Sequence, residues 1–166
     1  VQAGRRWRSP QLTSSTLGGL ACPVHHRYSE SRAKMKLAVY VNYRGTCEEA
    51  FRFYQDHLGA VSDGVIRRHG DMPNPNIPDG WEEKVLHARL ELGSMILMGA
   101  DIPNAEPMRS SYLTLFVDSE SEAERIYSVL TEGGQVLMKL ERTPFANRFA
   151  MLRDRFGASW MLLHQP

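Results

Sequence analysis

One order of elements, met twice along the chain, limits this sequence more than any other feature. Residues 36–43 are rich in Val and Tyr and stop at Arg44-Gly45, which reads as a strand. Thr46 and Glu49 form a capping box, and Ala50, Phe51, Tyr54 and Leu58 follow at helical spacing until Gly59 ends the helix. Three strands come next, over 60–67, 84–92 and 95–98. The Pro-rich loop 70–80 separates the first two and Gly93-Ser94 turns between the last two. Then the order recurs. Residues 111–117 read as a strand, and Ser119 with Glu122 caps a helix striped by Ala123, Ile126, Tyr127 and Leu130, which Gly133-Gly134 ends. Residues 135–140, 149–153 and 159–164 are strands, the last two joined by Asp154-Arg155-Phe156-Gly157. The copies share element order and capping, not residue identity.

This predicts an α+β fold of two paired strand-helix-strand-strand-strand modules, 36–100 and 111–164, within one domain over 35–166. Each module is too small to bury a core alone, so the two must pack together. Side-chain alternation sorts the faces. Leu86, Ala88, Leu90 and Leu92 oppose Val85, His87, Arg89 and Glu91; Leu113, Leu115 and Val117 oppose Tyr112, Thr114 and Phe116. The aliphatic faces are expected to cover the helices, and the mixed faces to form a curved mixed sheet around a cleft. Trp160, opposite in parity to Met161, is expected against a helix.

Charge divides the chain. The formal net charge is +1, yet residues 1–34 hold six basic side chains and one acidic, while 35–166 hold fourteen basic and eighteen acidic. The first 34 residues show no helical or strand period and are expected to be an upstream or cloning-derived extension rather than part of the fold. The alternative is an Arg- and Ser-rich organelle-targeting segment. The acidic body argues against a nucleic-acid partner, which needs clustered Lys and Arg. No apolar run approaches the ~18 residues of a membrane span, so no membrane partner and a cytoplasmic location are expected. Two cysteines, Cys22 and Cys47, build neither a disulfide framework nor a Cys-rich zinc site.

Three stretches narrow the reading: YVNYRGTCEEAFRFY at 40–54, LHARL at 86–90 and RFAMLRDRFGASWML at 148–162. With the duplicated module, they resemble the vicinal oxygen chelate superfamily (glyoxalase I, extradiol dioxygenases, bleomycin-binding proteins). Within it they resemble the PhnB-like branch, often labelled demethylubiquinone methyltransferase-like. The resemblance covers 35–166. It implies a glyoxalase/bleomycin-resistance-like fold, a small-molecule ligand in the cleft and a homodimer, since clefts of the antibiotic-sequestering members form between subunits. It also implies, for the enzymes, one divalent metal held by four inward His or Glu side chains, one from the first and one from the last strand of each module. The matching positions fall near Val39 or Tyr40, then Leu97, Tyr112 and Met161. Val, Leu and Met offer no oxygen or nitrogen donor, so no metal and no other cofactor are expected. The methyltransferase label finds no Gly-rich strand-to-helix turn of a nucleotide-type cofactor.

His87 is the side chain best suited to acid-base work, with Arg89 and Glu91 as neighbours on its face. The alternative is a hydrogen-bonded structural histidine. Arg89 can clamp a carboxylate or phosphonate, or pair with Glu91. Tyr40, Asn42, Tyr112 and Thr114 can orient a polar ligand or make ordinary cross-strand hydrogen bonds. Met161, with Met95, Phe145 and Phe149, can form apolar walls or plain core. Arg148 can close over the cleft mouth or stay solvated. Cys47, near a helix N-terminus, is open to a lowered thiol pKa or a packing role.

The expected function is binding of a small polar-aromatic or anionic molecule in the sheet cleft, without the usual metal. The rivals are a metal-dependent lyase or dioxygenase with a displaced ligand set drawn from His87, Glu91 and Tyr112, and an interaction module whose basic first 34 residues recruit an acidic partner.

Overall fold

Two four-stranded mixed sheets, each with one helix, build the described residues, 37–72 and 77–166, of the computed structural model. The first sheet holds β1 (Val39–Tyr43), β2 (Val61–Arg68), β3 (Val85–Leu92) and β4 (Met95–Asp101) in the order β1-β4-β3-β2. The second holds β5 (Leu113–Phe116), β6 (Gln135–Thr143), β7 (Ala146–Arg153) and β8 (Ser159–His164) in the order β5-β8-β7-β6. Helix α1 (Cys47–Leu58) follows β1 and α2 (Glu120–Thr131) follows β5. β1 runs parallel to β4 and β5 to β8, and the remaining pairs are antiparallel. The duplicated α+β topology read from the sequence is therefore present. These elements belong to one unit, Met35–Pro166. The segment 1–34, with the extension and targeting readings attached to it, lies outside the described residues. No helix among the described residues is long and apolar enough to cross a membrane.

Strand alternation places the core. Val41, Tyr43, Ala88, Leu90 and Leu97 are buried, while Tyr40 and Asn42 between them are exposed. Gly99 continues the buried side of β4, where a Cβ would stand 2.8 Å from the Phe51 ring and 2.9 Å from the Cys47 sulfur. Helix α1 thus lies directly on the backbone of β4. That contact carries the strand through Gly99 and Ala100 to Asp101, past the expected end at Met98. β6 and β7 also extend beyond the expected 135–140 and 149–153, because their hairpin keeps pairing as far as Thr143 and Ala146 through several register shifts.

Two helix starts behave differently. Ser119 is extended (φ −148°, ψ 157°) and its hydroxyl accepts from the Glu122 N–H at 3.1 Å, as expected of a cap. The Glu122 carboxylate, however, turns to Arg125 at 2.6 Å rather than back to the cap. Thr46 makes no side-chain capping bond, since its backbone (φ −122°, ψ 14°) is not in the extended conformation that aims a cap hydroxyl at the first turn. Asp101 does that work from the end of β4. Its carboxylate accepts from Cys47 N–H at 2.9 Å and Val85 N–H at 3.0 Å. This also corrects Val85, expected on the mixed face. The pairing skips a residue between Arg67–His87 and Arg68–Val85, a bulge at Leu86 that turns Val85 into the core. Gly59, with φ 71°, closes α1 in the left-handed conformation.

The modules share one apolar core. Tyr54 of α1 meets Trp160 of β8 edge-on, with ring centroids 5.3 Å apart, and Phe53 meets Phe156 at 5.5 Å. Trp160 does face a helix, but the helix of the other module. The Asp154 Oδ2 atom accepts from the Tyr54 hydroxyl at 2.6 Å and from Trp160 Nε1 at 2.8 Å. Its Oδ1 accepts from the Phe156 and Ala158 N–H groups at 2.9 and 3.0 Å.

Tyr54→Phe removes one donor from a buried carboxylate and is expected to cost about 1.5–3 kcal/mol, read as a lower urea midpoint at unchanged slope. Gly99→Ala forces a methyl group against Phe51 and Cys47 and is expected to cost about 1–3 kcal/mol in the same experiment.

Candidate functional site

The strand register assembles a polar face on the side of the first sheet away from α1. Tyr40, Met98 and Arg89 form one row across β1, β4 and β3. Asn42 and Ala100 pair in the next row, with His87 on the same face of β3. Arg67 of β2 pairs with His87, so its side chain shares that face. The small Ala100 and the flexible Met98 lie between the polar groups on either side. The Tyr40 hydroxyl lies 3.4 Å from His87 Nδ1, with ring centroids 5.9 Å apart. Partial burial, and to a lesser degree nearby Cys47, raises the Tyr40 pKa. The phenol therefore stays protonated at neutral pH. When it donates to Nδ1, the imidazole proton sits on Nε2.

Arg89, about one-third exposed, bonds Glu91 at 2.5 Å and reaches Asp63 at 3.7 Å. Asp63 is a member of this face that the sequence reading missed. It sits where β2–β3 pairing lapses between Ser62 and Ile66, and its Oδ1 accepts from the Val65 N–H at 3.0 Å while Gly64 takes φ 77°. The Asp63-Gly64 pair inside an otherwise clean strand was the available signal.

The remaining predicted residues fall elsewhere. Thr114 pairs with Met161 on the second sheet. Tyr112 precedes β5 and, with Thr114, Met95 and Leu97, borders a cavity of about 340 Å³ between β1 and β5. Phe145 and Phe149 stack edge-on at 5.2 Å in the β6–β7 hairpin. Arg148, expected over the cleft mouth, shares the side of β7 that carries buried Ala150 and Leu152. It bonds Glu120 at 2.6 Å and Glu124 at 3.3 Å on α2. Tyr40, Asn42, His87, Arg89 and Glu91 are thus brought together. Among the described residues no hydrogen bond or ion pair links them to Tyr112, Thr114, Met161 or Arg148.

The superfamily's divalent metal can be tested against these positions. Leu97 is 2% exposed and points at α1, so the open-face residues that flank it on β4 are Ile96 and Met98. On β5 the corresponding open-face residue is Thr114 rather than Tyr112. The register-corrected set is Tyr40, Met98, Thr114 and Met161. Two thioethers, a protonated phenol and a hydroxyl do not fit Mg, Mn, Fe or Zn. The displaced set fits no better. Glu91 is held by Arg89, Tyr112 belongs to the other module, and among the described residues no group of three His, Cys, Asp or Glu could hold a metal ion.

Cys47 is 0% exposed; burial first, then Asp101 and Glu48, push its thiol well above the ordinary range. The reading of a lowered thiol pKa is corrected, because the negative field of Asp101 and the loss of water outweigh the helix terminus.

Comparison with known proteins places this geometry. The model of the Glyoxalase/Bleomycin resistance protein/Dioxygenase superfamily matches residues 36–162. Protein YjdN of Escherichia coli is 30% identical over 139 residues, covering 77% of this chain and 94% of that protein. The crystal structure of protein PA1353 from Pseudomonas aeruginosa has 39% identity and a TM-score of 0.68, covering 78% of this chain and 98% of that one. The PhnB protein from Bacillus cereus, whose name assigns it to 3-demethylubiquinone-9 3-methyltransferase, has 27% identity and a TM-score of 0.65, covering 78% of this chain and 99% of its own.

With a raised pKa, Cys47 holds less thiolate at pH 8 than an ordinary cysteine. A Cys22→Ala variant is expected to react with a chromogenic disulfide only after unfolding in guanidinium. Rapid labelling of the native protein contradicts this.

Proposed function

Because the chain belongs to the Glyoxalase/Bleomycin resistance protein/Dioxygenase superfamily, we propose that it binds a small polar-aromatic or anionic molecule on the open face of the first sheet, in the superfamily's cleft, without that superfamily's divalent metal. The observation that carries this reading is the convergence of Tyr40, His87 and Arg89 on one face. The His87 imidazole stands against the Tyr40 hydroxyl and can turn a ring N–H outward, and the Arg89 guanidinium lies in the adjacent row. A guanidinium and an imidazole N–H side by side suit a carboxylate or phosphonate oxygen, and the Tyr40 ring offers an aromatic flank. The non-ligating residues at the register-corrected metal positions favour holding a ligand over polarising it on a metal.

A second copy of the chain would complete the cleft. Phe116 is 68% exposed and Phe145 55%, and Val136, Leu137 and Met138 are also exposed, so the second module carries apolar surface suited to a partner.

The test is a thermal-shift screen of small carboxylates, phosphonates and aromatic antibiotics, repeated with Arg89→Met and His87→Ala. A stabilising compound at a hundred times its Kd adds about 2.7 kcal/mol, several degrees for a domain of this size. Loss of that shift in Arg89→Met and a smaller shift in His87→Ala are expected. Protection that both variants keep in full would overturn the assignment.

A further inference from the structure

We propose that the molecule bound on this face is a short zwitterion, its acid group taken by Arg89 and its cationic group by Asp63 and Glu91. The inference rests on the reading of Tyr40, His87 and Arg89 as a binding face and specifies the charge pattern of its ligand.

The argument begins with what surrounds Arg89. Its guanidinium does not stand free. Glu91 contacts one terminal nitrogen at 2.5 Å, and Asp63 lies 3.7 Å from the other. Glu91 comes from the same strand two residues on, so alternation places it on the same face. Asp63 comes from the irregular stretch of β2 and is held there by its own bond to the Val65 N–H at 3.0 Å. Both carboxylates are more exposed than the arginine they flank, at 40% and 55% against 32%. They therefore stand on the solvent side, where a ligand arrives. Arg67, the cross-strand partner of His87, adds the second guanidinium.

The fixed charges on the face thus balance, two guanidinium groups against two carboxylates, with Tyr40 protonated and neutral. A site for a plain anion carries an excess of positive charge, which attracts the ligand and is not cancelled at contact distance. Here an incoming carboxylate that reaches Arg89 also meets Glu91 and Asp63, and like charges at that range repel. A ligand carrying its own ammonium group within a few bonds of the acid removes the repulsion, because the ammonium takes the place that Arg89 occupied beside the carboxylates. Both ends are then paired by charge-assisted hydrogen bonds. The direct Arg89–Glu91 contact keeps the two charges of the ligand close together, as in an α- or β-amino acid.

The experiment titrates the full chain, followed by two-dimensional amide NMR, with β-alanine, propionate and propylamine. β-Alanine is expected to shift the amides of β3 and of 62–66 at a concentration at least tenfold below that needed for either single-charge compound. In the Asp63→Asn, Glu91→Gln double variant the order is expected to reverse, with β-alanine at least tenfold weaker and propionate stronger. Exposed positions make both changes tolerable to the fold, and the same spectra report whether it is kept. Equal binding of propionate and β-alanine, both abolished by Arg89→Met, overturns the zwitterion while leaving the binding face standing. Binding that Arg89→Met leaves intact overturns the face itself. Absence of any shift with all three compounds overturns the zwitterion as stated.

Discussion

The two modules are held in register by one buried carboxylate. Asp154 sits at the β7–β8 turn and receives four hydrogen bonds, two from backbone N–H groups of its own turn and two from the Tyr54 hydroxyl and Trp160 indole. Tyr54 belongs to the first module's helix; Trp160 and the turn belong to the second. No basic side chain offsets the charge. Burial raises the Asp154 pKa despite the four donors, so the ionised form is tolerated only because each oxygen is fully engaged. A carboxylate placed this way demands a particular geometry of its donors. That demand ties α1 to β8 more specifically than the surrounding aromatic contacts of Phe53, Tyr54, Phe156 and Trp160 could alone.

Asp101 plays the related part inside the first module. It ends β4, serves the first N–H of α1 and the first N–H of β3, and its backbone carbonyl lies 2.9 Å from His69 Nε2 at the start of the Pro-rich loop. Strand end, helix start and loop root thus meet at one residue. With Gly99 two positions earlier admitting α1 against the sheet, β4 becomes the reference for everything around it. The open face inherits its order from this arrangement. Once Leu97 and Gly99 turn toward α1, Met98 and Ala100 must turn away, and Tyr40, Asn42, His87 and Arg89 assemble on either side of them.

The same order accounts for the mismatch with the superfamily's metal. The scaffold that positions four inward side chains is kept, while the side chains at those positions have become thioethers, a phenol and a hydroxyl. What remains is a charge-balanced polar face beside apolar surface, a setting suited to selecting a molecule by its charge pattern and shape.

Much of this was legible in the residues themselves. Element order, the stops at Gly59 and Gly133, the Ser119 cap and the shared face of Tyr40, His87, Arg89 and Glu91 follow from periods of 3.6 and 2 and from local backbone chemistry, which act over a few neighbouring residues. Other features were settled only by packing. Leu97 was placed on the wrong face, Thr46 lost its role to Asp101, Val85 turned inward at a bulge, and Arg148 went to α2. In each case the deciding partner lies tens of residues away, so no local pattern could record it. The clearest instance is Asp154, which reads in the sequence as one residue of a tight turn. Only the tertiary structure brings Tyr54 to it, a hundred positions away along the chain, because a buried charge takes its donors from whatever the fold packs against it.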